Sequence, residues 1–224
     1  MNSWSQSGAQ PGSAKPREPV VYVVDDDESM RLALSGLLRS IGLRVETFES
    51  PADFLAFPRD DAPSCLVLDV RLRGESGLAF QEQVEKHGLR MPIVFMTGHG
   101  DIAMTVKAMK AGAVDFLAKP FRDQDMLDAV ANALAKDAER LAAERSSAGL
   151  REAYAALTPR EREVMSYVVA GLMNKQIAAE LNLSEVTVKV HRGQLMRKLA
   201  ARSVADLVRK SEALGIAPQT RRAP

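Results

Sequence analysis

The chain has 224 residues, 46% hydrophobic and 26% charged, with a formal net charge of +1, the balance of a soluble globular chain holding one large domain or two small ones. Its longest apolar stretches, 20–24 and 167–173, are too short to cross a bilayer, residues 1–19 lack the apolar run of a secretory signal, and a lone cysteine, Cys65, excludes a disulfide framework or a cysteine-based zinc cluster. Charge is unevenly spread: residues 1–150 carry 17 Lys and Arg against 22 Asp and Glu, and residues 151–224 carry 13 against 7, so two modules with different partners are expected, the basic one suited to nucleic acid.

Residues 1–18 form a polar tail without enough apolar surface to fold. Residues 20–24 are all β-branched or aromatic and read as a strand buried on both faces. Residues 30–41 set Leu32, Leu34, Leu37, Leu38 and Ile41 at helical spacing, and Gly42 stops the helix. A strand over 43–48 and a short helix opened by Ser50-Pro51 follow. Next come a buried strand over 64–69, a helix over 77–87, a strand over 93–96, a helix over 101–111, a strand over 113–117 and a helix from near Arg122. Five such βα units in about 120 residues predict a doubly wound α/β fold, a five-stranded parallel sheet with helices on both faces. The last helix reads as unusually long. Leu127, Val130, Leu134, Ala138 and Leu141 are spaced as on a coiled-coil seam, and Ser146-Ser147-Ala148-Gly149 offers a place for the helix to break. Residues 139–157 are therefore expected to form a partly helical linker.

Beyond Leu157 the strand patterns end. Thr158-Pro159-Arg160-Glu161 combines a capping box with Pro at the first helical position, and helices are expected over 159–170, 174–181, 185–200 and 203–213. Only Asn182-Leu183-Ser184 separates the second from the third, which predicts a helix-turn-helix in a small all-α, four-helix domain. On the third helix Val188, His191, Leu195 and Leu199 form an inward stripe, so His191 reads as a core-edge residue. Lys189, Val190, Arg192 and Gly193 lie off that stripe. In a major groove Val190 would meet a thymine methyl, with Lys189 or Arg192 on bases or phosphates, while Lys175 and Thr187 are candidate phosphate contacts. Charge alone would equally suit RNA or an acidic protein.

The acidic module concentrates its chemistry at strand ends. Asp25, Asp26 and Asp27 close the first strand and Asp69 closes the third; in a 2-1-3-4-5 sheet these strands are neighbours, so Asp25 and Asp26 approach Asp69. Carboxylates crowded in this way repel one another and call for a hard divalent cation, Mg²⁺ being the usual choice where phosphate is handled. Thr97 adds a hydroxyl donor, Lys119 adds a compact cation before Pro120, and Gly98 leaves room for an incoming group. The Lys119–Pro120 bond is a candidate cis peptide, trans being the ordinary form. Asp27 reads as a helix-entry residue, Cys65 as core and His87 as a solvated last-turn residue.

The first module resembles the receiver domain of two-component response regulators through Val23-Val24-Asp25-Asp26-Asp27, Leu68-Asp69, Gly77, Met96-Thr97-Gly98 and Lys119-Pro120. The second resembles the DNA-binding domain of LuxR/NarL/FixJ regulators through Leu157-Thr158-Pro159-Arg160-Glu161-Arg162-Glu163-Val164, Gly171, Asn174-Lys175-Gln176-Ile177-Ala178 and Thr187-Val188-Lys189-Val190-His191-Arg192. The whole arrangement is similar to the FixJ type. This resemblance implies a flavodoxin-like receiver over 19–138, the linker over 139–157, a LuxR-type helix-turn-helix domain over 158–214 and a tail over 215–224. It implies that Asp69 accepts a phosphoryl group from a sensor histidine kinase, that Asp25, Asp26, Asp69 and the carbonyl of Arg71 hold Mg²⁺, and that Thr97 and Phe116 act as the switch with Lys119. It further implies a homodimer when phosphorylated, double-stranded promoter DNA and RNA polymerase as partners, a cytoplasmic location and no membrane partner.

Some positions depart from the pattern. Arg71 stands where aspartyl-phosphate hydrolases place an acid–base Asp, and an arginine cannot supply that proton transfer, so no enzyme is expected. Arg73 replaces a Pro usual in close relatives, with Glu75 after it, and Gly193 stands where some relatives have a DNA-facing lysine; His99, two residues past Thr97, reads as a loop residue sooner than as one bordering the phosphate. An alternative keeps both folds but places control in a protein partner or constitutive dimerisation without phosphotransfer.

Overall fold

A computed structural model describes residues 17–217 except 73–74 and 99–101. Arg73 and His99, the side chain of Glu75, and the expected tails apart from residues 17–18 and 215–217 lie outside the described residues. Two compact units meet in sequence between Leu141 and Ala142.

The first unit contains β1 (Val20–Val24), α1 (Glu28–Ser40), β2 (Arg44–Phe48), α2 (Pro51–Ala56), β3 (Ser64–Asp69), β4 (Arg71–Leu72), β5 (Glu75–Ser76), α3 (Gly77–Lys86), β6 (Ile93–Thr97), α4 (Ile102–Lys110), β7 (Asp115–Ala118) and the start of α5 (Asp123–Ala155). Five strands pair in parallel in the order β2-β1-β3-β6-β7, the doubly wound topology that the alternating pattern predicts. The antiparallel pair β4–β5 is an addition, two residues on each side and too short to leave a periodic signal.

The strands are apolar on both faces because both are covered. Tyr22, Leu66 and Phe95 share one core with Phe54 of α2 and Phe80 of α3. Val21, Val23, Val67 and Met96 share the other with Leu34 and Leu38 of α1 and Met126 and Val130 of α5, and Cys65 is buried among them. Phe54 packs edge-on to Tyr22 at 5.5 Å and to Phe48 at 5.6 Å, contacts worth about 0.5–1.5 kcal/mol each beyond area burial.

Local chemistry sets where helices begin. α1 starts at Glu28 rather than at 30 because the Asp27 carboxylate accepts the Ser29 amide at 2.8 Å, the helix-entry role expected of Asp27. The seam expected on α5 is instead its docking face. Met126, Ala129, Val130, Ala133 and Leu134 pack in the sheet core, whereas Ala138 is exposed. Asp137 lies on the same face, fully buried; its carboxylate accepts the Ser64 amide at 2.8 Å and pairs with Arg140 at 2.9 Å, tying α5 to the start of β3. The helix continues through Ser146-Ser147-Ala148-Gly149 as one 33-residue element, so the expected break is absent. A serine or glycine costs a helix only up to about 1 kcal/mol, and no proline interrupts this one.

The second unit holds α6 (Pro159–Val169), α7 (Asn174–Leu181), α8 (Glu185–Lys198) and α9 (Val204–Ala213) around a core that includes Leu157, Val164, Ile177, Val188, Leu195 and Leu207. Its entry is the expected capping box: Thr158 Oγ1 accepts the Glu161 amide at 3.2 Å, and Glu161 accepts the Thr158 amide at 2.8 Å. Glu161 is buried and also takes a 2.7 Å bond from Lys198 of α8. Burial pushes its carboxyl up, but the Lys198 and Thr158 donors outweigh that and leave it below the ordinary glutamate value. A carboxylate depressed on folding adds stability that is complete above its unfolded pKa and is lost as pH falls through the folded one. Melting of this unit is therefore expected to drop below about pH 4.5, and Glu161→Gln, which keeps the cap but not the charge, should flatten that acid limb in circular-dichroism melts.

Candidate functional site

Parallel pairing brings the C-terminal ends of β1 and β3 side by side, with β6 next to β3 and β7 next to β6. Asp25 follows β1, Asp69 ends β3, Thr97 ends β6 and Lys119 follows β7, so one edge of the sheet collects all four. Asp25, Asp69 and Thr97 are buried and Asp26 is half-buried. One carboxylate oxygen from each of Asp25, Asp26 and Asp69 lies within 4.8 Å of the others.

Lys119 occupies the middle of this charge. Its Nζ donates to Asp25 Oδ2 and to Asp69 Oδ2, both at 2.7 Å, and its backbone amide donates to the Thr97 carbonyl at 2.7 Å. Burial works against the ammonium, but the two carboxylate bonds prevail and raise its pKa above the ordinary lysine value. Burial also raises the Asp25 carboxyl, against the bonds from Lys119 and the Asp27 amide. The Lys119–Pro120 peptide is cis.

Backbone groups orient the remaining oxygens. The Asp27 amide reaches Asp25 Oδ1 at 2.9 Å and the Arg71 amide reaches Asp69 Oδ1 at 3.0 Å. Arg31 donates to the Asp25 carbonyl at 2.6 Å, a contact with no sequence signal beyond its place one turn past Asp27. A Cβ on Gly77 would run into the Asp69 carbonyl and lie 3.0 Å from Val70 Cα, so only a glycine lets α3 start against the end of β3. Gly98 is exposed with open space at its Cβ position, in keeping with room for an incoming group. Phe116 is half-buried at the margin of the sheet core. His87 is exposed, and its Nδ1 lies 2.8 Å from the Gln83 carbonyl of α3.

The donor set is oxygen-rich and anionic, which fits a hard cation such as Mg²⁺ better than a soft metal that prefers thiolate ligands.

In the basic unit α7 and α8 form the expected helix-turn-helix, with Asn182 left-handed at φ 51° and Ser184 capping α8 through the Thr187 amide at 3.0 Å. Val188, Leu195 and Leu199 face the core, and His191 is half-buried beside them. Lys175 and Lys189 are exposed, and so is Val190, half of whose surface meets solvent. Two expected DNA contacts are engaged with their own fold: Arg192 donates to Asn174 Oδ1 at 2.8 Å, and the Thr187 hydroxyl lies 2.7 Å from Ser184 Oγ. Val186, 72% exposed on the first turn of α8, is an apolar surface residue that the stripe analysis did not single out.

An acidic pocket on a doubly wound sheet, carried with a basic helix-turn-helix unit, is the build of a signal-controlled DNA-binding regulator. Residues 21–131 match the response regulator receiver domain family and residues 155–211 match the luxR family of bacterial regulatory proteins, and the chain belongs to the two-component response regulators with a LuxR-type DNA-binding domain. It is 55% identical over 197 residues to nodulation protein W of Bradyrhizobium diazoefficiens, covering 88% of this chain and 87% of that one. It is 42% identical over 205 residues to the transcriptional regulatory protein FixJ of Azorhizobium caulinodans, covering 91% and 96%. Among solved structures it resembles the response regulator StyR, with a TM-score of 0.79 and 51% identity over 87% of this chain and 98% of that one. These relatives are regulators rather than enzymes, in agreement with Arg71 standing where a hydrolase needs an acid. Among the described residues no helix is long and apolar enough to cross a membrane.

The Gly77 contact carries a direct test. Gly77→Ala should destabilise the first unit by about 1–3 kcal/mol, whereas Gly98→Ala should leave stability nearly unchanged; urea unfolding of the two variants checks both.

Proposed function

We infer that this protein is a phosphorylation-controlled transcription regulator whose receiver takes a phosphoryl group on Asp69 from a sensor histidine kinase. The observation that carries the reading is the bridge of Lys119 between Asp25 and Asp69, a cation already set against the carboxylate that would be modified. Asp25, Asp26, Asp69 and the Arg71 carbonyl would hold Mg²⁺, which when bound neutralises phosphoryl oxygens and aligns them for transfer. A carboxylate oxygen of Asp69 forms the new bond to phosphorus as the bond to the kinase histidine nitrogen breaks. The acyl phosphate carries about two negative charges where the Asp69 carboxylate carried one, a net gain of about one beside Asp25 and Asp26. Lys119 then exchanges a carboxylate partner for a phosphoryl oxygen, and Thr97 supplies a hydroxyl donor. Movement of Thr97 and of Phe116, on adjacent strands, repacks the surface formed by α4, β7 and α5 into a two-fold dimer contact. Paired α8 helices read two half-sites of promoter DNA, with Lys189, Val190 and Arg192 toward base edges and Lys175 and Thr187 toward phosphates. In this reading the protein works in the cytoplasm with RNA polymerase, over a receiver of residues 19–138 and a DNA-binding domain of 158–214.

Light scattering with Mg²⁺ and beryllofluoride, a mimic of the aspartyl phosphate, tests the switch. The mass should double, and Asp69→Asn should hold it at the monomer value; a monomer in the parent chain, or a dimer in both, refutes the proposed coupling. The DNA surface is tested separately. Lys175→Ala should lower the slope of log affinity against log salt on random-sequence duplex by about one, measured by fluorescence anisotropy.

A further inference from the structure

Among the described residues the most exposed large apolar side chain is Val186, on the first turn of α8, with 72% of its surface in solvent. Val190, one turn on, is 50% exposed. Residues of a helix are turned about 100° from one another, so the two valines lie about 40° apart around α8 and about 6 Å apart along it. Both lie on the side opposite the Val188–Leu195–Leu199 stripe. Lys189, Gly193 and Arg197 complete that arc, all of them exposed, and no acidic residue interrupts it.

Folding gains little from these residues. Valine is a poorer helix former than alanine, and Val186 is not among the residues that build the core of the second unit. Gly193, seven residues beyond Val186, is poorer still, and a Cβ there would meet nothing within 4 Å. The glycine keeps the arc low, so the valine methyls are its most prominent apolar feature. One exposed valine needs no explanation, but here two stand one turn apart on the second helix of a helix-turn-helix, the helix whose first turns face base edges. Charge complementarity identifies the occupant. An apolar protein surface would leave Lys189 and Arg197 unmatched, whereas a DNA major groove has phosphates along both margins and, at thymine, a C5 methyl on its floor.

Resting on the DNA-binding reading above, we propose that Val186 is a specificity-determining residue whose methyls contact the C5 methyl of a thymine. The spacing of the valines is close to two base steps of about 3.4 Å each, so the thymine that Val186 reads lies within two steps of the one that Val190 meets. Lys189 and Arg197, on the same arc, supply charge to the backbone and no part of this preference.

The test begins with site selection from a randomised duplex library by the full chain in Mg²⁺ and beryllofluoride. The selected duplex is then remade with deoxyuridine in place of each thymine in turn, on either strand, which removes the C5 methyl and leaves every hydrogen-bonding group intact. Fluorescence anisotropy should find two thymines within two base steps of each other whose replacement weakens binding by about fourfold each, the worth of one buried methyl. In Val186→Ala one of these replacements should lose its effect and the other keep it, with the reverse in Val190→Ala. Affinity for random-sequence duplex and its salt slope should be unchanged in both variants, because neither alters a charge. Alanine on the exposed first turn should not lower the unfolding midpoint. A selected site that tolerates uridine throughout, or one whose sensitivity survives intact in Val186→Ala, overturns the assignment of Val186 and leaves the regulator reading standing. Failure to select any sequence overturns both.

Discussion

Like charges held at close quarters are the constraint around which the receiver is built. A parallel sheet delivers the ends of β1 and β3 to one edge, and here those ends carry carboxylates that burial and mutual repulsion both disfavour. The fold answers with one ammonium. Lys119 reaches Asp25 and Asp69 from the end of β7, two strands away from β3, so the pairing of β6 with β7 is also an electrostatic requirement. The amides of Asp27 and Arg71 take up further oxygens. An acidic edge arranged in this way is stable yet poised, because any group that offers better partners to the same oxygens or to Lys119 redistributes the whole set.

Much of this was readable from residue types alone. Strands buried on both faces announce themselves by uninterrupted β-branched runs, and the acidic or polar residue that ends each run marks the functional edge. Strand order followed from βα alternation together with the family resemblance. Short or tertiary features were not legible. β4 and β5 are too brief for any period, the capping role of Asp27 moved the start of α1 by two residues, and the face of α5 that resembled a coiled-coil seam is occupied by the receiver's own sheet. Spacing near 3.5 cannot distinguish a partner helix from a sheet, because both need only an apolar stripe. Asp137 was invisible for a different reason: a carboxylate in a helix reads as solvated until its partners, Ser64 from far along the chain and Arg140, are placed around it.

The helix-turn-helix unit shows the complementary case. Its caps, its three-residue turn and the Val188–Leu195–Leu199 stripe are local, and sequence order alone located them. What sequence could not show is how far a polar surface is committed to its own fold. Arg192 holds Asn174 across the motif, so a side chain proposed for DNA contact is also a brace between α7 and α8, and any use of it on DNA would exchange or share that bond. Lys189 and Val190 lie in the exposed arc of α8, with no such brace among the described residues.

The contrast between the units also bears on how the chain is made. Thr158, Ser184 and Ser203 each start a helix by closing a bond three residues ahead, so the second unit can organise from near neighbours as soon as each segment exists. The sheet has no such shortcut. β1 has β3 as a neighbour 44 residues on, from Val20 to Ser64, and its order is complete only when β7 arrives at Asp115–Ala118. A ribosome therefore releases the slow, long-range half of this protein first, and the β1 edge that will pair with β3 must wait uncovered while the intervening chain is synthesised. The five apolar residues of β1 are, for that interval, the segment of the chain with most to gain from a chaperone.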